Sequence, residues 1–221
     1  MAINVAIDGP AGAGKSTISR SAAKQLGYIY VDTGALYRTV GLNAVRKGVD
    51  LENEESIAKS IEEITVDLTY ENGEQAVLLN GENVSEFIRT PEASMAASKV
   101  SAVPAVREFL FSLQQDIAKR SDCVMDGRDI GTVVLPNAQV KIFLTASAEA
   151  RAERRYKELI EKGQQVKFED VLADMNQRDY NDSHRAIAPL KQADDAILVD
   201  TSELNLVESI EAVVNTIKER I

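Results

Sequence analysis

The stretch Gly9-Pro10-Ala11-Gly12-Ala13-Gly14-Lys15-Ser16-Thr17 decides the fold class of this chain. It matches G-x-x-x-x-G-K-[ST] and lies between an apolar run and a segment with helical periodicity, which is the context that the motif requires. Its glycines let backbone N–H groups turn inward around phosphate oxygens, and the next helix adds its positive N-terminal end. We therefore expect a nucleoside triphosphate site over residues 9–17, in which Lys15 bridges the β- and γ-phosphates and the Ser16 hydroxyl ligates Mg²⁺.

Short apolar runs alternate with helical patterns along the 221 residues, which indicates an α/β fold around a parallel sheet. Several of these runs end on an aspartate, among them Asp8, Asp32 and Asp126, and the carboxyl ends of parallel strands are where such sheets build their sites. The predicted core strands are 3–8, 28–32, 123–126, 140–145 and 196–200. We therefore expect a P-loop NTPase-type three-layer sandwich with a five-stranded parallel core sheet.

The segment between the second and third core strands does not follow this rhythm. Residues 64–70 and 75–80 alternate apolar and polar side chains on either side of Glu71-Asn72-Gly73-Glu74, which is typical of an antiparallel hairpin. A third short strand is expected at 83–85. Helical patterns flank the hairpin at about 34–47, 53–63, 91–100 and 104–119. The sequence thus predicts an inserted lobe, at about 36–119, that contains a small antiparallel sheet.

The last third of the chain returns to helices. A highly charged helical pattern at 148–162 is followed by a break at Gly163-Gln164-Gln165, a helix from about 168 and an amphipathic helix at 206–220. This order predicts a short helical lid at about 150–167. We expect one P-loop domain over residues 1–221, because no linker or repeat divides the chain.

Composition narrows the class of protein. The formal net charge of −10, from 35 acidic and 25 basic residues, disfavours nonspecific binding of nucleic acid. No run approaches the ~18 apolar residues that cross a membrane, and residues 1–5 show no basic leader, so a cytoplasmic protein is expected. The single Cys123 lies in an apolar stretch and is expected to be a core thiol.

The nucleotide motif alone does not separate kinases from GTPases or motor ATPases. The guanine-reading Asn-Lys-x-Asp motif is absent, and Gly127 follows Asp126 where hydrolases commonly carry a glutamate that activates water. Arginines are abundant instead. Transfer between two phosphates needs cations that hold two anions together and exclude water, because the attacking oxygen is already ionised. The pattern therefore favours a kinase over a nucleotide-dependent switch.

The arginines differ in how far their positions point to a site. Arg38 and Arg128 follow core strands beside the nucleotide motif, which favours a role in phosphate binding. Surface ion pairs would account equally well for the arginines of the charged helical segments. Arg178 and Asp182, for example, have the i, i+4 spacing of a helix-surface pair. The other arginines in this group are Arg151, Arg154 and Arg155.

Four stretches together resemble bacterial cytidylate kinase, a family of nucleoside monophosphate kinases. They are Gly9–Thr17, Asp32-Thr33-Gly34-Ala35-Leu36-Tyr37-Arg38, Asp126-Gly127-Arg128-Asp129-Ile130-Gly131-Thr132-Val133-Val134 and, between Arg178 and Leu190, the residues Arg178, Asp179, Asp182 and Arg185-Ala186-Ile187-Ala188-Pro189-Leu190. The resemblance runs from the first strand to the last. It implies transfer of the γ-phosphate of ATP to CMP or dCMP and a monophosphate-binding lobe. We also expect Mg²⁺ bound with ATP and, since the active site is expected to be complete within one chain, a monomer.

The resemblance also implies a role for individual residues. For CMP, it implies that Arg38 and Arg128 hold the phosphate and that Thr33 lies close to the base or phosphate. The cytosine would be read by Ser98, Arg107 and Asp129. Arg178 and Asp182 would hold the sugar hydroxyls. The residues expected to act on ATP and the transferred group are Gly9, Pro10, Ala11, Gly12, Ala13, Gly14, Lys15, Ser16, Thr17, Arg154 and Arg155, with Lys15, Asp126, Arg128 and Arg185 as the catalytic groups. Members often carry serine where Thr33 stands, so the hydroxyl is retained in a slightly more crowded pocket.

The chemistry of cytosine favours this interpretation. Asp129 can accept a hydrogen bond from the exocyclic amine, and Arg107 can donate to the ring carbonyl or nitrogen. Uracil carries a carbonyl in place of the amine and would face Asp129 unfavourably. A kinase for another small acceptor, such as UMP or AMP, remains the alternative. His184, the only histidine, is expected at the surface, because this transfer needs no proton shuttle.

Overall fold

The structure is a computed structural model that describes residues 2–71 and 74–221, so the predicted turn at Asn72-Gly73 lies outside the described residues. The strands in these ranges are β1 (Asn4–Asp8), β2 (Ile29–Asp32), β3 (Val66–Glu71), β4 (Glu74–Leu79), β5 (Glu82–Asn83), β6 (Cys123–Gly127), β7 (Val140–Thr145) and β8 (Ile197–Asp200). The helices are α1 (Lys15–Leu26), α2 (Thr33–Arg46), α3 (Glu54–Ser60), α4 (Pro91–Val100), α5 (Pro104–Arg120), α6 (Ala148–Glu161), α7 (Phe168–His184) and α8 (Leu206–Lys218). Two short elements were not predicted, a 3₁₀ turn at Phe87–Arg89 and a π-helical turn at Ile130–Val134.

A five-stranded parallel sheet forms the core, in the order β2-β6-β1-β7-β8, and confirms the predicted fold class. Strand β1 is central: Ile7 is in register with Asp126 of β6 on one side and with Ile142 of β7 on the other. Val5, Ala6 and Ile7 are 0% exposed. A strand with neighbours on both sides and both faces covered must be apolar throughout, which is why this segment reads as a continuous apolar run.

The second sheet is small and antiparallel, in the order β3-β4-β5, as the alternating pattern predicted. Its third strand comes one residue earlier than expected, at Glu82–Asn83 in place of 83–85. The reason is that the side chain of Ser85 replaces a backbone carbonyl as hydrogen-bond acceptor. Val84 N donates to Val77 O, but Val77 N donates to the Ser85 hydroxyl at 3.0 Å, so the ladder of backbone bonds ends before Ser85.

Two compact units make up the chain, one built mainly from Ile29–Asp122 and the other from Ile3–Tyr28 with Cys123–Ile221. We call them the hairpin unit and the phosphate-loop unit. The hairpin unit has its own apolar core, in which helices and the small sheet contribute Leu36, Val40, Val77, Val84 and Leu110. The phosphate-loop unit buries Ile18, Met125, Ile142, Leu144 and Ile217. Across the described ranges, no helix combines the length and the apolar character needed to span a membrane.

Helices α2 and α4 approach each other closely in the hairpin unit because Gly41 has no side chain. A Cβ at residue 41 would lie 2.9 Å from Ala96 Cβ and 2.9 Å from the backbone nitrogen of Ala97. Cβ atoms essentially never lie this close to another heavy atom, so the absence of a side chain at Gly41 sets the distance between the helices. Both helices carry residues proposed to bind the acceptor, so this contact bears on the site as well as on stability.

We expect Gly41→Ala to lower the free energy of unfolding by about 1–3 kcal/mol, since overpacking outweighs the ~1 kcal/mol that alanine gains over glycine within a helix. Urea titration of the wild type, of Gly41→Ala, of Ala96→Gly and of the double variant would measure this. The cycle should show a favourable coupling between the two changes, because removing the Ala96 methyl group relieves part of the clash. A Gly41→Ala variant at least as stable as the wild type would contradict the close-contact explanation.

Candidate active site

The phosphate loop, residues 9–17, leaves the central strand β1 and enters α1. Gly9 is required where the loop begins, because a Cβ at this position would lie 1.9 Å from the carbonyl oxygen of Leu144 in β7. Gly14 is the residue before α1 and has φ +83°, a left-handed conformation that glycine adopts without strain. The loop therefore connects the carboxyl end of β1 to the start of α1, at the edge where parallel sheets build their sites. Ser16 and Thr17 are exposed there.

Lys15 is the cation of the loop and is buried, with 7% of its surface exposed. Its Nζ donates to the carbonyl oxygens of Gly9 and Pro10, each at 2.7 Å. Burial, together with the nearby charge of Arg128, lowers the pKa of Lys15 to about 7, while Asp126, Asp182 and Asp8 act in the opposite direction. The ammonium group is thus held by neutral carbonyls that a phosphate can replace.

Arg151 of α6 bonds the backbone of the phosphate loop, a role that sequence analysis missed. Only 5% of its surface is exposed, and its guanidinium donates to Ala11 O at 2.8 Å and to Ala146 O at 2.9 Å. Two further bonds, at 2.6 and 3.1 Å, join it to the carboxylate of Asp179 in α7. No local pattern signals this pair because 28 positions separate its members. The contact fixes the middle of the phosphate loop to two helices.

Two further arginines in the phosphate-loop unit are paired with carboxylates that sequence analysis also assigned to the site. Arg128 Nε donates to Asp182 Oδ2 at 2.7 Å, so Asp182 has a partner other than the i, i+4 one considered above. Arg185 Nη2 lies 3.0 Å from Asp129 Oδ1, and both side chains are less than a tenth exposed. Arg185 Nε donates to Ala188 O at 2.6 Å. The structure therefore brings Arg128, Asp182, Asp129 and Arg185 into two defined ion pairs.

Asp8 and Asp126 are buried carboxylates at the ends of β1 and β6, with 5% and 2% of their surfaces exposed. Asp8 accepts hydrogen bonds from the backbone nitrogens of Ile130 at 2.8 Å and Gly131 at 2.7 Å. Burial raises the pKa of Asp8 to about 6, although these two amide bonds act to lower it. Sequence analysis noted only that Asp8 ends a strand. Its contacts lie 122 and 123 positions away, so no local spacing reveals them.

The hairpin unit holds the first group of expected acceptor contacts at the start of α2. Asp32 caps this helix by accepting from Ala35 N at 2.9 Å, and its other oxygen accepts from Arg38 Nη2 at 2.8 Å. Thr33 is buried beside it, with 3% of its surface exposed. Gln75 of β4 holds the backbone of Asp32, accepting from its nitrogen at 2.8 Å. The small sheet thereby positions the residue that orients Arg38, a function of the hairpin that its sequence pattern did not reveal.

Ser98 and Arg107 come together at the junction of α4 and α5 through one intermediate residue. The hydroxyl of Ser101 donates to Ser98 O at 2.9 Å, and Arg107 Nη1 donates to Ser101 O at 3.3 Å. The Arg107 guanidinium also lies over the ring of Tyr37, 5.8 Å from its centroid. This places the guanidinium between a helix end and an aromatic face, and its role toward the base stays a prediction.

The remaining predicted residues lie toward the outside of the phosphate-loop unit. Arg154 donates to the carbonyl oxygens of Thr201 and Leu204, and Arg155 pairs with Glu158 at 2.7 Å. Arg178 is exposed on α7. His184 is exposed, as expected, and stacks on Tyr180 at a centroid distance of 4.1 Å. Their roles toward ATP and the sugar stay predictions.

Comparisons with known proteins give a consistent result. The family model described as cytidylate kinase matches residues 5–219. A protein named cytidylate kinase from Caldicellulosiruptor saccharolyticus is 51% identical over 211 residues, which cover 96% of this chain and 93% of that protein. Another with this name, from Thermosipho melanesiensis, is 50% identical over 220 residues and covers 100% of this chain and 99% of its own. Among solved structures, an uncharacterized protein from Eubacterium ventriosum shares the fold, with a TM-score of 0.56, 14% identity and 100% coverage of both chains.

The lowered pKa of Lys15 predicts that nucleotide binding takes up protons at pH 8. Free Lys15 is mostly neutral above pH 7, whereas bound phosphates favour the ammonium form and raise its pKa. We expect an uptake of about 0.5–1 proton per site, measured by titration calorimetry with Mg²⁺-ATP in two buffers of different ionisation enthalpy. The Lys15→Met variant should bind ATP more weakly and lose this uptake. Equal uptake by the variant would assign the proton to another group.

Proposed function

The chain belongs to the cytidylate kinase family, and on this basis we propose that it transfers the γ-phosphate of ATP to CMP or dCMP, giving ADP and CDP or dCDP. The observation that carries the proposal beyond family membership is the set of cations beside the phosphate loop. Lys15, Arg128 and Arg185 are each held by specific partners within the phosphate-loop unit. A hydrolase would need a group that activates water, whereas a phosphate acceptor is already ionised and needs cations.

ATP would bind with its phosphates along the amides of residues 9–17. Lys15 would leave the carbonyls of Gly9 and Pro10 and bond the β- and γ-phosphates, supported by the negative charge of Asp126. Arg151, itself held by Asp179, would keep the loop in place during this exchange, because its bond to the carbonyl oxygen of Ala11 involves no amide that the nucleotide needs. We expect Arg154 and Arg155 to contribute from the helical lid, at about 150–167.

CMP would be held through its phosphate by Arg38 and Arg128, and Arg185 would bridge toward the transferred group. Holding the two anions in line and free of water supplies the largest part of such catalysis. For the base, the carboxylate of Asp129 accepts from the cytosine amine and Arg107 donates to its carbonyl, with Ser98 nearby. The remaining contacts proposed for CMP are those of Thr33 with the base or phosphate, and of Arg178 and Asp182 with the sugar.

The residues of the phosphate loop fit a magnesium ion that arrives with the nucleotide. Mg²⁺ usually keeps several waters and takes few protein ligands beside the substrate phosphates. Within residues 2–71 and 74–221, no group of three or more His, Cys, Asp or Glu side chains could hold a metal alone. The exposed Ser16 hydroxyl at the start of α1 would supply the protein ligand. Bound there, the ion would neutralise charge on the phosphate oxygens.

The organisation and setting of the enzyme follow from the same proposal. We infer one kinase domain over residues 1–221, with the monophosphate-binding lobe at about 36–119. All the groups assigned to the two substrates come from a single chain, which is the basis for proposing a monomer. Its substrates are nucleotides of the general cellular pool, so a cytoplasmic location is proposed, with neither nucleic acid nor membrane as a partner.

A panel of acceptors tests the proposed function directly. ADP release from Mg²⁺-ATP would be followed with CMP, dCMP, UMP, AMP, dTMP and shikimate, with a reaction lacking any acceptor as the control. We expect fast turnover with CMP and dCMP and little with the others, because uracil presents a carbonyl to Asp129 and the remaining acceptors lack the edge of cytosine that Asp129 and Arg107 are proposed to bond. Comparable kcat/KM for UMP would refute the role of Asp129. Equal ADP release without an acceptor would identify a hydrolase or switch.

Arg128→Ala tests the phosphate contact. Losing a charge-assisted bond to the CMP phosphate costs ~2–4 kcal/mol, so kcat/KM for CMP should fall about 30- to 1000-fold while the KM for ATP changes far less. Arg120→Ala, at the exposed end of α5, is the matched control and should leave both KM values unchanged. A change confined to the KM for ATP would show that Arg128 acts on the other substrate.

A further inference from the structure

Asp8 joins the central strand to the segment that carries Asp129. It is the last residue of β1, and its two carboxylate oxygens each accept one backbone N–H, from Ile130 at 2.8 Å and from Gly131 at 2.7 Å. These are the two residues directly after Asp129. A carboxylate that accepts two consecutive amides fixes the orientation of that peptide more tightly than a single bond would, since both oxygens must be satisfied together.

Asp129 is held from its other side by the π-helical turn at Ile130–Val134. Its carbonyl oxygen accepts from Val133 N at 2.9 Å and from Val134 N at 3.2 Å. Its backbone therefore has bonded groups at its own carbonyl and at the two following amides, which leaves little freedom for its φ and ψ angles. Single π-helical turns of this kind occur often at functional sites, where they aim a side chain that a regular helix would direct elsewhere.

The space around this turn is tight as well. A Cβ at Gly131 would lie 3.4 Å from Asp8 Oδ2 and 3.2 Å from Cδ of Lys141. Lys141 is itself fixed, because its Nζ donates to Pro136 O at 2.5 Å and pairs with Asp195 at 2.8 Å. Because Lys141 is held at its far end, a side chain at residue 131 would crowd it and shift the peptide, so glycine favours the short bond from the Gly131 amide to Asp8.

Asp8 is mostly ionised at neutral pH, although its burial favours the neutral form. Burial raises its pKa to about 6, with Asp129 adding to the rise and Lys15 opposing it. The folded state then binds the proton more tightly than the unfolded chain, so the stabilisation present at low pH is lost as pH rises through about 6. At neutral pH the ionised group therefore reduces the free energy of unfolding. A group that reduces stability yet orders a peptide beside the site is accounted for by function better than by folding.

We propose that Asp8 is a positioning residue for the acceptor base: its carboxylate fixes the Ile130 and Gly131 amides and so holds Asp129 where it meets the cytosine. The inference deepens the proposed function and rests on its assignment of Asp129 to the base. Asp8 touches neither substrate. Its effect passes through the backbone to Asp129, whose Oδ1 lies 3.0 Å from Arg185 Nη2.

The test compares Asp8→Asn with the wild type. An asparagine can accept one of the two amides, but its NH₂ group opposes the other N–H. Because displacing a substrate-positioning group by about an ångström costs on the order of 100-fold, we expect kcat/KM for CMP to fall about 10- to 100-fold. The KM for ATP should change less than about threefold and the preference for CMP over UMP should narrow, as expected for a loss confined to one substrate.

Asp200→Asn is the matched control. Asp200 also ends a strand of the same sheet, and its Oδ1 accepts from Ser202 N at 2.8 Å, but no residue assigned to the base follows it. The Asp200→Asn variant should keep the wild-type ratio of kcat/KM for CMP to kcat/KM for UMP. Gly131→Ala is the second test variant, since its methyl group would push the same peptide away from Asp8, and it should narrow the ratio in the same way.

Two readouts separate the possible outcomes. The amide proton shifts of Ile130 and Gly131 in ¹⁵N-edited NMR spectra report their hydrogen bonds to the Asp8 carboxylate directly. Both shifts should move upfield in Asp8→Asn, because a neutral amide is a weaker hydrogen-bond acceptor than a carboxylate. This result does not depend on which nucleotide the enzyme phosphorylates. Thermal unfolding at pH 7.5 checks that this variant is folded, because removing a buried charge offsets part of the cost of the amide bond that the asparagine cannot accept. Unmoved amides, an unchanged CMP to UMP ratio, or equal increases in KM for both substrates would each overturn the role of Asp8. A wild-type protein without preference for CMP would instead refute the proposed function, with the amide shifts still testing the Asp8 contact.

Discussion

The close approach between Gly9 and the carbonyl of Leu144 is the constraint on which the site depends. The central strand has hydrogen-bonded neighbours on both sides, so the chain can leave it only over the carboxyl edge of the sheet. Any side chain at Gly9 would push the loop off β7 and move every amide after it. The position of Lys15 against the loop carbonyls, and the contact of Arg151 with Ala11, both presuppose this path.

Supports from distant parts of the chain then fix the surroundings of the loop. Arg151 and Asp179 hold it from α6 and α7, and Asp8 holds the turn that follows β6. In the hairpin unit, Gln75 plays a comparable part by fixing the backbone of Asp32. In each case a polar side chain satisfies backbone groups where a strand ends or a loop begins, which is how such segments keep a defined shape when they are buried.

Sequence reasoning reached the fold class and the phosphate loop because their signals are local. The loop motif, the apolar strands and the alternating hairpin each lie within a few consecutive residues. The third hairpin strand was misplaced by a residue because the Ser85 hydroxyl, which no pattern reveals, replaces a backbone acceptor. Arg151 was indistinguishable from its surface neighbours in sequence, since its burial depends on a carboxylate 28 positions away. The π-helical turn at Ile130–Val134 escaped for the same reason, because the carboxylate that holds it belongs to β1.

The three arginines proposed to bind phosphate groups already have carboxylate partners: Asp32 for Arg38, Asp182 for Arg128 and Asp129 for Arg185. Substrate capture at such residues is an exchange of anions and not a simple addition. A ligand gains only the difference between its own bonds and those it displaces, so an anion must offer more than charge. Inorganic phosphate has neither a ring nor a sugar with which to compensate. Under the proposed function, these carboxylates would raise the affinity that an anion needs in order to bind, and would favour a whole nucleotide over the small anions in solution.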